Sequence, residues 1–202
     1  MHQLRIALAQ INVTVGDLDG NVTKILANVE AAKAQQADMV VFPELAIPGY
    51  PPEDLVLKPA FVAASKAAVE ELARETADGP GILIGTVWPG ETAGDIMNAV
   101  ACLDGGEVRG VRFKAELPNY GVFDEDRYFF SEANRGALFE IHALYAALSV
   151  SEYFCLPNGP PADQAARHHV TERHGQHAAG QRQVAHRELA LPHKPHPSVQ
   201  QP

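Results

Sequence analysis

The sequence predicts an α/β fold, a mixed central sheet with helices outside it, and three observations lead there. Apolar, β-branched runs at residues 4–13, 39–42 and 82–87 read as strands buried on both faces. Between them, residues 19–35 and 59–76 repeat apolar side chains at helical spacing, and strand–helix–strand order makes successive strands parallel through right-handed crossovers. Residues 96–103 and 107–113 flank Asp104-Gly105-Gly106, a hairpin signal that adds antiparallel strands to the same sheet.

Taken in order, Leu4, Ile6, Ala7, Leu8, Ala9, Ile11 and Val13 predict a central strand, which Val15-Gly16-Asp17 breaks. Val22, Ile25, Leu26, Val29 and Ala32 then line one face of a first helix. The second strand stops before Pro43, which cannot donate to a sheet ladder. Pro48, Gly49, Pro51 and Pro52 stiffen the loop that follows, and Pro59 sits at a favourable first helical position. Phe61, Ala64, Ala68, Val69 and Leu72 make the second helical face, which Asp78-Gly79-Pro80-Gly81 ends. Residues 115–130 are loop-like and rich in aromatics, and residues 138–141 and 144–150 predict a further hairpin.

Length and charge set the class. The chain has 202 residues, enough for one domain with a full core, and carries a net charge of −9, which argues against nucleic acid or an anionic membrane as main partner. Residues 167–202 hold five Lys or Arg against two Glu, a net +3, so residues 1–166 carry −12. That last segment has seven of the nine histidines, no Phe, Tyr or Trp and no apolar period, and is expected to be disordered, the composition of a shifted reading frame. The domain proper is therefore drawn at residues 1–166. His168, His169, His174 and His177 have imidazoles that ligate metals, but no spacing fixes a geometry, so no metal site is expected. Cys102 and Cys155 fit no disulfide or metal framework, and no signal peptide or membrane-length apolar run occurs, so a soluble, cytoplasmic protein is expected.

Three features carry chemistry. Glu44 follows one strand, Lys114 follows another, and residues 117–125 form a rigid loop with aromatic and acidic residues. A carboxylate paired with an ammonium in a cleft relays a proton and stabilises an oxyanion. From the residues alone, Glu44 is equally a solvated strand cap, and the pair an ordinary salt bridge. Cys102, inside an apolar strand, reads as a packed core residue.

The motifs together are more specific. Phe42-Pro43-Glu44-Leu45 followed by Pro48-Gly49-Tyr50, then Lys114 and Leu117-Pro118-Asn119-Tyr120-Gly121-Val122-Phe123-Asp124-Glu125, closely resemble the nitrilase-like carbon–nitrogen hydrolases. Residues 48–55 and 117–130, with Ala9-Gln10-Ile11-Asn12, resemble in particular the glutaminase domains of glutamine-dependent NAD synthetases, and the likeness runs over residues 3–166. It implies an αββα sandwich, here truncated on the C-terminal side, and a Glu–Lys–Cys triad that releases ammonia from glutamine. Carried over, Glu44 would be the general base, Lys114 the oxyanion stabiliser and Glu125 a second carboxylate behind the lysine. Tyr50, Tyr120 and Phe123 would line the glutamine pocket. The implied partners are glutamine, a synthetase domain and, in a homo-oligomer, a second copy. ATP and magnesium would belong to the synthetase domain, so this chain is expected to hold no cofactor.

Two departures from that pattern matter. Where the family carries its nucleophile in Ile-Cys-Glu-Asp-Ile-Trp, this chain reads Val150-Ser151-Glu152-Tyr153-Phe154-Cys155, with Ser151 at the cysteine's place. A thiol ionises near pH 8.5, an alcohol far less readily, and no histidine stands in the matched motifs to activate it. Little or no glutaminase activity is therefore expected. The family domain also continues through further strands and helices into a synthetase domain, and no pyrophosphate-binding loop is seen here. A free-standing amidase for another small amide and a non-catalytic remnant or binding module are the alternative readings.

Overall fold

In the structure, a computed structural model, residues 4–119, 124–131, 138–141 and 144–147 are described. Tyr120, Phe123, Ser151, Cys155 and the 167–202 segment lie outside them.

Five strands form one sheet in chain order: β1 (Ile6–Leu8), β2 (Met39–Val41), β3 (Gly81–Pro89), β4 (Ile96–Asp104) and β5 (Glu107–Phe113). The β1–β2 and β2–β3 pairs are parallel, and β3–β4 and β4–β5 antiparallel. Helix α1 (Leu18–Ala34) connects β1 to β2, and α2 (Pro59–Glu75) connects β2 to β3. A second, two-stranded antiparallel sheet pairs β6 (Leu138–Ile141) with β7 (Leu144–Ala147). The β4–β5 turn places Gly105 and Gly106 at φ 57° and 85°, the two positive values that a tight hairpin turn requires.

Helix α1 begins where Asp17 accepts from the Gly20 amide at 3.0 Å, and just past its end Arg5 Nη1 donates to the carbonyls of Gln35 and Gln36. Ile25, Val29 and Ala32 of α1 and Val69, Leu72 and Ala73 of α2 pack on Val40, Ile82, Ile84, Ala101 and Leu103. Each such buried Ile or Leu stabilises the fold by about 1.5–3 kcal/mol. Alternation then assigns Met39, Val41, Leu83, Val100 and Cys102 to the opposite face, where they form a second cluster.

The first strand differs from its prediction. Instead of a central strand over 4–13, β1 has three residues and is one of the two edge strands of the described sheet. The reason is its partner. After the Ala9 amide reaches the Val41 carbonyl, β2 runs into Pro43 and no further ladder exists to join. Ala9, Ile11 and Val13 are apolar because they pack from a loop against the helix-side core, while Leu8 is exposed on the other face. The proline-rich loop also contains a 3-10 turn (Glu53–Leu57) that its composition did not announce.

Candidate active site

Glu44 reaches its place through one empty volume. The Phe42 amide still bonds the Leu83 carbonyl, and then the chain leaves the ladder and crosses the face of β3 at Gly85. A Cβ on Gly85 would lie 2.3 Å from the Leu45 nitrogen and 2.5 Å from the Pro43 oxygen, so only glycine admits the 43–45 segment so close. The Ile47 amide bonds the Gly85 carbonyl, and Leu45, at φ 50°, is fully buried. Asn21 of α1 holds the far end: its side chain donates to the carbonyls of Ile47 and Thr14 and accepts from the Thr14 amide. Gly49, at φ 83°, lets the 14–15 backbone press against the loop just before Tyr50.

Lys114 comes from the opposite side. It follows β5 by one residue, and its amide bonds the Asn98 carbonyl of β4 at 2.8 Å, continuing the ladder register. Alternation turns the side chain to the same face as Gly85. Its Nζ lies 2.8 Å from Glu44 Oε1 and 2.9 Å from the Glu125 carboxylate, and the residue is 1% exposed. Glu125 opens a 3-10 turn (Glu125–Arg127) in which its own carbonyl receives the amides of Tyr128 and Phe129. Leu45, Val56, Val87 and Phe129 form an apolar cluster beside this ion group.

The electrostatics follow from the burial. Burial by itself would lower the Lys114 pKa, but the hydrogen bonds and charges of Glu44 and Glu125 outweigh it and hold the ammonium above its usual range. Glu125 is pushed above the ordinary carboxylate range by burial first and by the Glu44 charge, with Lys114 pulling the other way. Tyr50 is half-exposed, and partial burial together with the Glu125 and Glu44 charges raises its phenol. Cys102 is buried in the second cluster and raised to about 11 by burial, which leaves the thiol protonated and unreactive.

Of the residues singled out by sequence, Glu44, Lys114 and Glu125 meet in one cluster and Tyr50 lies within its field; Tyr120, Phe123 and Ser151 are outside the described residues. Two members were missed. Asn98 of β4 donates through Nδ2 to Glu44 Oε1 at 2.7 Å and lies 3.5 Å from Glu125 Oε2. Gly85 supplies the space for the Glu44 segment. Both had a signal: an amide flanked by apolar residues in one strand, and a glycine in the interior of another, where close backbone approach is the usual reason.

A buried ammonium between two carboxylates, beside the ends of the strands of an α/β sheet, is an arrangement that can relay a proton and stabilise an oxyanion. The model of the carbon–nitrogen hydrolase family matches residues 5–163, and the chain belongs to that family. Among curated relatives, the glutamine-dependent NAD(+) synthetase of Thermotoga maritima is 44% identical over 130 residues, 64% of this chain and 22% of the relative. That of Aquifex aeolicus is 36% identical over 156 residues, 77% of this chain and 27% of the relative. The chain thus spans about a quarter of their length. The solved Acinetobacter baumannii glutamine-dependent NAD+ synthetase, in complex with ADP, superposes with a TM-score of 0.69 at 32% identity, over 82% of this chain and 30% of that one. An amidase from Nesterenkonia shares the fold at a TM-score of 0.70 and 24% identity, over 82% of this chain and 63% of that one. Among the described residues no helix is long and apolar enough to cross a membrane.

Proposed function

We propose that this chain carries the amide-hydrolysis machinery of a glutaminase module, the part that supplies ammonia to a glutamine-dependent NAD synthetase. The observation that supports this best is Lys114, fully buried and clamped between Glu44 and Glu125. Two of its three ammonium protons face carboxylates, and the third, which meets no acceptor among the described residues, can donate to a developing oxyanion. Glu44, whose side chain is 32% exposed, is the one carboxylate of the cluster open to a reactant. It takes the proton of the nucleophile as that atom attacks the side-chain amide carbon of glutamine. It then returns the proton to the departing nitrogen, so that ammonia leaves and an acyl group stays on the nucleophile until water removes it. Glu125 keeps Lys114 charged and aimed. Tyr50, Tyr120 and Phe123 contact the substrate. ATP and magnesium act in a synthetase domain, and the chain works in a reducing cytoplasm.

Ser151 at the nucleophile's place sets the rate. Its hydroxyl ionises far less readily than a thiol, and turnover of glutamine by the chain is expected to be at or near the limit of detection. The test is glutamine hydrolysis, followed as ammonia release, by the chain, by Ser151→Cys and by Ser151→Cys combined with Glu44→Gln. A rise on Ser151→Cys that Glu44→Gln removes supports the reading. Hydrolysis of short aliphatic amides in preference to glutamine would favour a free-standing amidase. No turnover of any amide by Ser151→Cys would favour a non-catalytic remnant.

A further inference from the structure

Glu44 has two carboxylate oxygens, and the structure treats them differently. Oε1 receives both Lys114 Nζ, at 2.8 Å, and Asn98 Nδ2, at 2.7 Å, whereas no donor meets Oε2 among the described residues. Asn98 is itself 1% exposed and sits third in β4, opposite Val87 of β3. Its carbonyl holds the Lys114 amide, so one residue fixes the lysine through its main chain and the glutamate through its side chain. Its Oδ1 is buried and meets no partner among the described residues, a cost consistent with the other end of the amide being committed.

We propose that Asn98 is a positioning residue that decides which oxygen of Glu44 acts as the base. With two donors on Oε1, the carboxylate cannot turn about its last bond without breaking both, and Oε2 is the oxygen left to accept a proton from the nucleophile. Lys114 alone does not achieve this. A single ammonium on a flexible stem follows either oxygen, and Glu125 competes for it. The amide, delivered from a strand hydrogen-bonded on both sides, breaks the symmetry. This inference rests on the reading of Glu44 as general base.

The experiment uses the full chain carrying Ser151→Cys, with and without Asn98→Leu, Asn98→Asp and Glu44→Gln, and has two readouts. The first is the kcat and KM for glutamine. Asn98→Leu is expected to lower kcat by up to about 100-fold, the cost of misplacing a reacting group by about 1 Å, while KM stays nearly constant. Asn98→Asp keeps the size of the side chain. Its introduced carboxyl donates to Glu44 Oε1 only when protonated, so kcat is expected to recover as pH falls, which a merely structural residue would not produce. The second readout needs no turnover: carboxyl carbon NMR of glutamate-labelled protein. Losing the Asn98 amide is expected to move the Glu125 titration further upward and to shift the Glu44 carboxyl signal as Oε1 loses a donor. Unchanged Glu44 and Glu125 signals in Asn98→Leu overturn the inference, as does an unchanged kcat where turnover is measurable. If Glu44→Gln leaves turnover intact while Asn98→Leu still perturbs the Glu44 signal, the base assignment fails and the positioning contact stands.

Discussion

The helix-covered face of the sheet and the face that carries the ion cluster are made from the same strands, taken residue by alternate residue. On the first, Val40, Ile82, Ile84, Ala101 and Leu103 meet two helices, and the helix residues packed on them are apolar. On the second, Gly85, Asn98 and Lys114 lie between the apolar group of Met39, Leu83 and Cys102 and that of Leu45, Val87 and Phe129. The first face is held by area, so any residue of similar volume serves. The second is held by specific donors, acceptors and one missing side chain. Charged groups buried this deeply are costly unless paired, as Lys114, Glu44 and Glu125 are, and the low-dielectric setting strengthens those contacts.

Breaking the apolar face should cost most in stability and least in chemistry. Leu72→Ala or Ile84→Ala, both fully buried, is expected to destabilise by about 2–5 kcal/mol through lost burial and a residual cavity, read as a lower urea midpoint. The geometry of the ion cluster should survive wherever the protein stays folded.

Next in size is the cluster itself. Lys114→Met removes the ammonium from between two carboxylates and is expected to cost about 3 kcal/mol, the lower end for a broken buried pair because Glu44 is partly exposed. Unlike the core variants, it should recover stability at acid pH, where the stranded, buried Glu125 carboxyl, already raised above the ordinary range, takes up a proton. Equal loss at pH 5 and pH 8 would show that the lysine stem, not its charge, is what matters.

Gly85→Ala comes third. The new methyl would meet the backbone of Pro43, Glu44 and Leu45 and nothing flexible, and overpacking of this kind costs about 1–3 kcal/mol. The signature is a combined effect: modest destabilisation with displacement of Glu44 from Lys114. A crystal structure of the variant with the Lys114–Glu44 contact intact would remove Gly85 from the site.

Smallest is the pH dependence. The folded Lys114 pKa lies above its unfolded value, so its stabilisation is complete below about pH 10.4 and is lost as pH rises through the folded pKa. Glu125, also raised, binds its proton more tightly in the folded state. Its burial penalty is complete above the folded pKa and is relieved as pH falls toward the unfolded value near 4.3. Urea midpoints across pH should therefore fall on the alkaline side, and the fall should be shallower in Lys114→Met. An identical alkaline limb in that variant would assign the loss to other groups, such as Tyr50.

The elements were legible because their signals are local. Helical spacing at Ile25, Val29, Val69 and Leu72, the Pro43 stop and the Gly105-Gly106 turn each act over a few neighbours in sequence, and all appear where expected. Glu44 and Lys114 stood out as charges just beyond apolar strands. Asn98 did not, because a single amide within residues 96–103 is as easily a solvated edge position as a buried donor. The 4–13 run misled because apolar residues facing a core from a loop look like those of a strand.

What the sequence determined by itself was the composition of each strand and helix, and which charged residues the strands deliver at their ends. Only the tertiary structure decided that β1 is an outer strand, that the 43–45 backbone crosses Gly85, and that Asn98 and Lys114 share one oxygen of Glu44. Those outcomes depend on the register between β3, β4 and β5 and on the space above one glycine. They join residues 54 and 70 positions apart in the chain, beyond the reach of any period of 2 or 3.6.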